Sequence, residues 1–222
     1  MSERSWELVR RAFWPLIEAT LTTTVPLALC SFAIGLVIAL VVALAKLSPT
    51  RPVALIGTFY VSLIRGTPLL VQLYIIFYGL PFLGLTLPTF PSAVIALSAN
   101  VGGYAAEAFR GAILAVPQGQ WEAASTIGLG RWNSLRRVVL PQALRLAVPP
   151  LSNTFISLVK DTSLCSVVMV TELVRRAQQF ATPAYDFLPM YIEAALIYWP
   201  ICSALSLVQK RLEVRLGRHV SV

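Results

Sequence analysis

Long uncharged stretches separated by short charged ones dominate the pattern of this chain. No charged residue occurs in the 27 positions from Ala19 to Ala45 or in the 41 positions from Gly66 to Ala106. A helix needs roughly 20 apolar residues to cross the hydrocarbon core of a membrane. The first stretch therefore predicts a transmembrane helix. It exceeds the roughly 7–15 apolar residues of a signal-peptide core, and no small-residue cleavage site follows Lys46, so we expect it to remain in the mature chain.

The second uncharged stretch is too long for one helix and carries helix breakers near its middle. These breakers are Gly79, Pro81, Gly84, Pro88 and Pro91. Two helices and a short turn fit this stretch, and two more apolar segments follow it. The predicted spans are about 19–45, 53–78, 92–110, 140–159 and 189–208, within a transmembrane domain 19–212 that separates an N-terminal segment 1–18 from a tail 213–222. Five spans place the two termini on opposite sides of the membrane.

The distribution of basic residues predicts the orientation, because short loops rich in Lys and Arg stay in the cytoplasm. With the C-terminus inside, ten basic residues lie on the inner side: Lys46, Arg51, Arg110, Arg131, Arg136, Arg137, Lys210, Arg211, Arg215 and Arg218. Six lie on the outer side: Arg4, Arg10, Arg11, Lys160, Arg175 and Arg176. The N-terminus is therefore expected outside, as a periplasmic segment, and the C-terminus in the cytoplasm. This topology accounts for most of the net charge of +8, and we expect no nucleic-acid binding.

Composition indicates an all-α integral membrane protein and argues against catalysis by this chain. Hydrophobic residues make up 57% and charged residues 13% of the sequence. Cys30, Cys165 and Cys202 lack the spacing of metal ligands, and His219 is the only histidine, so neither a metal centre nor a histidine-based triad is expected. No lysine follows a glycine as in a phosphate-binding loop. We therefore expect a chain that is not an enzyme and does not hydrolyse nucleotide.

A polar segment, 117–141, separates the third and fourth spans and has the pattern of two short helices. Good helix formers occupy 120–127, and Gly128 and Gly130 can end that helix in a left-handed conformation. A second helix is expected to start near Asn133 or the next residue, and Pro141 suits the first turn of the following span. Two interpretations stay open: the alanines and arginines of this segment seat in the groove of a partner, or they rest on anionic lipid headgroups.

Four motifs resemble a known family. Glu122-Ala123-Ala124, Gly128 and Val138-x-Leu140-Pro141 resemble the EAA loop in the membrane subunits of bacterial ATP-binding-cassette (ABC) importers, with valine where that family usually has isoleucine. Arg65-Gly66-Thr67-Pro68-Leu69-Leu70-Val71-Gln72-Leu73, Ala105-Ala106-Glu107-x-x-Arg110-Gly111 and Lys160-Asp161-Thr162-Ser163-Leu164 resemble the polar amino-acid branch of these permeases. The resemblance extends over roughly 27–212.

The resemblance implies a type I ABC importer transmembrane subunit with five transmembrane helices, in the bacterial cytoplasmic (inner) membrane. It implies a second permease subunit, identical or closely related, ABC ATPase subunits that bind ATP and Mg, a solute-binding protein, and surrounding membrane lipid. No cofactor is expected in this chain. The segment 117–141 would act as a coupling helix on the ATPase through Gln120, Glu122, Ala123, Ala124, Gly128, Arg136, Arg137, Leu140 and Pro141.

Polar residues at membrane depth are the candidates for substrate contact, because such residues usually face a cavity or one another. Arg65 and Gln72 are seven positions apart and are predicted to share a helix face. Asn100, Tyr104 and Glu107 recur at i, i+4 and i+7 and define another. The alternative is structural: Arg65 pairs with Glu107, and Gln72 and Asn100 form interhelical hydrogen bonds.

Two outer segments complete the candidate residues. Lys160-Asp161-Thr162-Ser163 is expected either to form a gate that contacts solute or to cap the end of the fourth span. Glu172, Arg175 and Arg176 are expected on the outer face that meets the binding protein, and a solvated charged helix is the alternative.

The substrate prediction rests on the same resemblance. The segment from Pro150 to Leu164, Phe59-Tyr60-Val61-Ser62 and the Gly79-Leu80-Pro81 turn look most like cystine-type permeases, so L-cystine is the first choice. Glutamine, glutamate, arginine and histidine stay open. A stand-alone ion-coupled transporter is less favoured, because this chain has five predicted spans, no evident repeat and a docking loop. A membrane-embedded enzyme is also less favoured, because the sequence shows no catalytic constellation.

Overall fold

The computed structural model describes residues 3–217, and within that range all regular structure is helical. Its α-helices are α1 Glu3–Ala19, α2 Val25–Lys46, α3 Arg51–Gly66, α4 Leu69–Tyr74, α5 Thr89–Leu114, α6 Gln118–Thr126, α7 Arg131–Ser134, α8 Leu140–Asp161, α9 Leu173–Ala184 and α10 Phe187–Gly217. Shorter π and 3-10 segments are Thr20–Thr24, Ile75–Gly79, Leu80–Leu83, Leu135–Val139 and Thr162–Val168. Arg218, His219 and the end of the predicted tail lie outside the described residues.

The first helix begins before the predicted first span. α1, the π segment and α2 run on as one helix from Glu3 to Lys46, whereas the sequence predicted a span that starts at 19. α1 is an amphipathic helix. Its charged residues lie on one side, and Ala12 and Leu16 on its apolar side are fully buried. α1 packs there against α9 and α10, around Leu173.

The predicted second span, 53–78, is broken. α3 ends at Gly66, α4 begins at Leu69, and the two parts are bent by 104°. Thr67 has the extended backbone that a following proline favours, with φ −121° and ψ 146°. The prediction that Arg65 and Gln72 share one helix face was therefore wrong.

α5 is the central helix of the larger apolar cluster and packs against α2, α3, α4 and α8. Gly102 and Gly103 let neighbouring helices approach closely, since a Cβ atom at Gly102 would lie 2.6 Å from Ile38 Cγ2. Because α5 is enclosed by other helices, it can carry polar residues that a lipid-facing helix would expose to hydrocarbon.

Within residues 3–217, two helices are long and apolar enough to cross a membrane: Glu3–Lys46 and Phe187–Arg215. The number of candidate spans rises to four if each of two bent helix pairs counts as one span. One bent pair joins α3 to the segment 69–83, and the other joins the continuous helix Arg131–Val168 to α9. α8 begins where the fourth span was predicted, at Leu140.

Candidate functional site

A cavity of about 520 Å³ lies between the α3–α4 break, α5 and α8. It is lined by Thr67, Pro68, Leu69, Asn100, Val101, Tyr104, Asn153, Thr154, Ser157, Leu158 and Asp161. Small-molecule sites typically measure roughly 300–1,000 Å³ and combine apolar walls with a few polar groups. The cavity therefore has the size and lining for a small polar solute.

Gln72 holds the helix break that forms one cavity wall. Its Nε2 donates to Ile64 O at 2.8 Å, to Thr67 O at 3.1 Å and to Thr67 Oγ1 at 3.0 Å. Its Oε1 accepts a bond from Asn100 Nδ2 at 3.2 Å. With 8% exposure, Gln72 is occupied by these partners and does not line the cavity. The interhelical hydrogen bond, given above as the structural alternative, is therefore confirmed.

Arg65 and Glu107 do not pair with each other. The Arg65 guanidinium lies over the Tyr104 ring, 5.4 Å from its centroid, beside the cavity that Tyr104 lines. Glu107 instead pairs with Lys46 and with Arg110, whose Nε lies 3.1 Å from Glu107 Oε2. The structural alternative for Arg65, an ion pair with Glu107, was wrong, because Glu107 pairs with Lys46 at the end of α2 and with Arg110. Glu107 joins helices and does not line the cavity.

Of the four predicted outer residues at 160–163, one lines the cavity and three do not. Asp161 lines the cavity, whereas Lys160 is exposed and absent from its lining. Thr162 is buried and donates to Val159 O at 2.7 Å. Ser163 Oγ donates to Lys160 O at 2.6 Å. Both hydroxyls thus complete the backbone bonds of the helix end, which is the capping alternative.

Three polar residues on the α8 wall of the cavity were missed by sequence reasoning: Asn153, Thr154 and Ser157. A signal for two of them existed, since Asn153 and Ser157 recur with Asp161 at i, i+4 and i+8 and so share one helix face. Asn153 also accepts a bond from Gln209 Nε2 of α10 at 2.9 Å, which ties this face to the neighbouring helix.

Glu172 is fully buried, so its expected place on an outer surface was wrong. Its carboxylate caps α9, accepting bonds from Val174 N at 2.9 Å and Arg175 N at 2.7 Å. Tyr198 Oη of α10 donates to it at 3.1 Å. Arg175 and Arg176 are half-buried and bond to glutamines on α9. Only these two arginines stay candidates for an outer contact.

The Glu172 carboxyl predicts a pH-dependent stability. Burial raises its pKa from 4.5 to about 7, although the two backbone N–H bonds oppose the rise. Because the folded pKa is raised, the stabilisation is complete below pH 4.5 and is lost as the pH rises through 7. We expect the thermal midpoint of the purified protein to fall by several degrees from pH 5 to pH 8. In Glu172→Gln, this fall of the midpoint with pH is expected to be absent. Equal pH slopes in the two proteins would contradict the assignment.

The polar segment forms the predicted helix, bend and helix. Ala123 of α6 is exposed and Ala124 is buried. Gly128 ends α6 with φ +80°, whereas Gly130 has φ −65° and precedes α7, which begins at Arg131 rather than near 133. Glu122 and Gln120 are exposed on α6, Arg136 and Arg137 are exposed in the π segment that follows α7, and Leu140 and Pro141 begin α8.

Comparison with known proteins identifies the class of this chain. Residues 35–218 match the family described as the binding-protein-dependent transport system inner membrane component. The L-cystine transport system permease protein TcyB of Bacillus subtilis (strain 168) is 55% identical over 97% of this chain and 93% of its own length. The arginine transport system permease protein ArtQ of the same organism is 36% identical over 91% of this chain and 93% of its own.

A solved structure agrees with the fold. The crystal structure of an amino acid ABC transporter with histidines is similar with a TM-score of 0.88 and 35% identity, over 97% of this chain and 100% of that one. These relatives are transporter components rather than enzymes. The chain belongs to the family of binding-protein-dependent transport system inner membrane components, the permease subunits of ABC importers.

Proposed function

We propose that this chain is the transmembrane subunit of an ATP-driven importer that passes a polar amino acid, with L-cystine preferred, from a solute-binding protein to the cytoplasm. The observation that carries the proposal is the polar cavity at the break between α3 and α4. The choice of cystine is supported by the 55% identity to an L-cystine permease. ATP and Mg are bound by the partner ATPase, and this chain supplies no cofactor.

The proposed topology has five spans: the helix through α2, the bent pair α3–α4, α5, α8 and α10. α5 has 26 residues and is about 39 Å long, enough to cross a membrane although it is enclosed and less apolar. The N-terminus lies outside and the C-terminus in the cytoplasm, which the basic residues support. A second permease subunit, identical or closely related, faces the open side of the cavity.

Cystine carries two ammonium and two carboxylate groups, so its site needs polar groups on more than one wall. On α8, Asp161 supplies an anion for an ammonium group, and Asn153 and Ser157 supply hydrogen bonds. On the opposite side, Asn100 and Thr67 line the cavity. Arg65, held over Tyr104, lies where it attracts a carboxylate.

The coupling step uses one continuous helix. α6 binds the ATPase through exposed residues such as Glu122 and Ala123, and closure of the ATPase moves α6 and α7 together. From Arg131 the helix runs without a break through α8 to Val168. This continuous helix has Arg136 and Arg137 near one end and Asp161 near the other. A displacement of α6 and α7 therefore moves one wall of the cavity.

Reconstituted vesicles test the proposal. We expect vesicles that contain this chain, its ATPase and its binding protein to accumulate radiolabelled L-cystine only with ATP inside. Excess unlabelled cystine is expected to abolish the uptake of labelled cystine, whereas excess glutamine or arginine is expected to leave that uptake unchanged. Uphill accumulation by vesicles that lack the ATPase would overturn the mechanism, and stronger competition by glutamine or arginine would overturn the substrate.

Asp161 offers a sharper test of the cavity. Asp161→Asn keeps the side-chain shape but removes the anion that faces the substrate ammonium group, and we expect uptake to fall about tenfold or more. Ser163→Ala is the matched control, because Ser163 lies two residues away and bonds only to the backbone of Lys160. Equal uptake by the two variants would remove Asp161 from the site.

A further inference from the structure

A second cleft, of about 930 Å³, lies between the ends of α2 and α5 and the helices α6 and α7. We call it the tryptophan cleft, after Trp121 and Trp132, which line it together with Leu44, Ile113, Arg131 and Leu135. Gln118, Trp121 and Ser125 face the cleft at i, i+3 and i+7 of α6, so Ala123 lies on the other side of that helix. The cleft is therefore distinct from the exposed coupling face of α6 and from the polar cavity.

The position of the tryptophan cleft is that of a membrane boundary. Lys46, the last residue of α2, ends the first uncharged stretch of the chain. Leu44 precedes it by two residues, so this cleft wall lies at the edge of the hydrocarbon. Tryptophan is enriched at membrane–water interfaces, where its ring is apolar and its N–H is hydrated. Trp132 is 63% exposed there.

The charge beside the cleft is positive and unpaired. Arg131 is exposed, and among residues 3–217 no ion pair involves it. Arg136 and Arg137 follow Arg131 in the π segment after α7 and are also exposed. The cytoplasmic leaflet contains anionic lipids, which attract such basic residues.

We propose that the tryptophan cleft binds an anionic phospholipid of the inner leaflet. One acyl chain lies between Leu44, Ile113 and the tryptophans, and the phosphate meets Arg131. The lipid thus contacts α6 and α7 on the side opposite the ATPase and steadies the coupling segment against the ends of α2 and α5. The choice of leaflet rests on the topology of the proposed function, whereas lipid binding itself is measured without transport.

Native mass spectrometry of the purified permease–ATPase complex tests this site. The complex is incubated with equimolar palmitoyl-oleoyl phosphatidylglycerol and phosphatidylcholine, and the retained lipids are counted. We expect about a fivefold preference for phosphatidylglycerol, the effect of one basic residue near an anionic surface. Arg131→Gln is expected to abolish the preference, and Trp132→Ala to lower retention of both lipids.

Matched controls exist elsewhere in the chain. Arg215→Gln changes an exposed arginine of α10, and Trp199→Ala removes a tryptophan that is 72% exposed on the same helix. Both controls are expected to retain lipid as the unmodified complex does. The site would be overturned if the control variants lost as much bound lipid as the cleft variants, or if the complex retained the two lipids equally. It would also be overturned if the isolated permease bound the lipid but the permease–ATPase complex did not. A complex that retains phosphatidylglycerol as expected but imports no cystine would overturn the proposed function and support the lipid site.

Discussion

Gly102→Val is expected to disrupt the packing of α5 and to lower the free energy of unfolding by about 3 kcal/mol, the upper end for overpacked cores. A Cβ atom at this position would lie 2.6 Å from Ile38 Cγ2 and 2.7 Å from Tyr60 Oη. Tyr60 cannot move freely, because its hydroxyl donates to Ala99 O at 2.6 Å. The added side chain therefore separates α5 from α2 and α3 at once.

Thermal unfolding of the purified chain in detergent measures this effect, and Gly111→Val is its control. Gly111 lies on the same helix, and a Cβ atom there would meet nothing within 4 Å. Both changes replace glycine by the same β-branched residue, so helix propensity cancels in the comparison. Equal midpoints for the two variants would show that close approach at Gly102 does not hold the fold together.

Gln72→Leu is expected to lower substrate uptake by tenfold or more, the second large effect. Leucine fills a similar volume but leaves the carbonyls of Ile64 and Thr67 without the amide that now donates to them. An unsatisfied buried polar group costs about 1–3 kcal/mol, so the break is expected to rearrange until these carbonyls find other partners. Thr67 and Pro68 line the cavity, so the rearrangement changes the site itself.

Uptake in reconstituted vesicles, with the thermal midpoint measured in parallel, tests this expectation. Thr58→Val is the control on the same helix α3, because Thr58 is exposed and bonds only to Ala54 O. An uptake rate for Gln72→Leu that equals the control rate would show that the break does not depend on Gln72. A collapse of the thermal midpoint together with uptake would assign Gln72 to folding alone.

The linear pattern predicted some helix boundaries, because both the cost of charge in hydrocarbon and the effect of proline and glycine act locally. The ends of α2 and α8 agree with the predictions to within about two residues, and Gly128 ends α6 in the left-handed conformation expected of it. The helical structure of α1 was not predicted, because its charged residues indicated only a segment outside the first span. Its buried face was visible only once α9 and α10 were packed against it.

The sequence by itself determined that this chain crosses a membrane as helices, carries a structured polar segment before α8 and contains polar residues at membrane depth. Only the tertiary structure decided which of these residues share a space. The direction of a side chain depends on bends such as the 104° turn at Thr67 and Pro68, and on the helix packed opposite. Thus Asp161 lines the cavity while Ser163 does not, and Glu172 caps a buried helix end instead of meeting a partner. Helical periodicity predicts the face a residue occupies on its own helix, but the neighbour that the face meets is set by packing between distant segments.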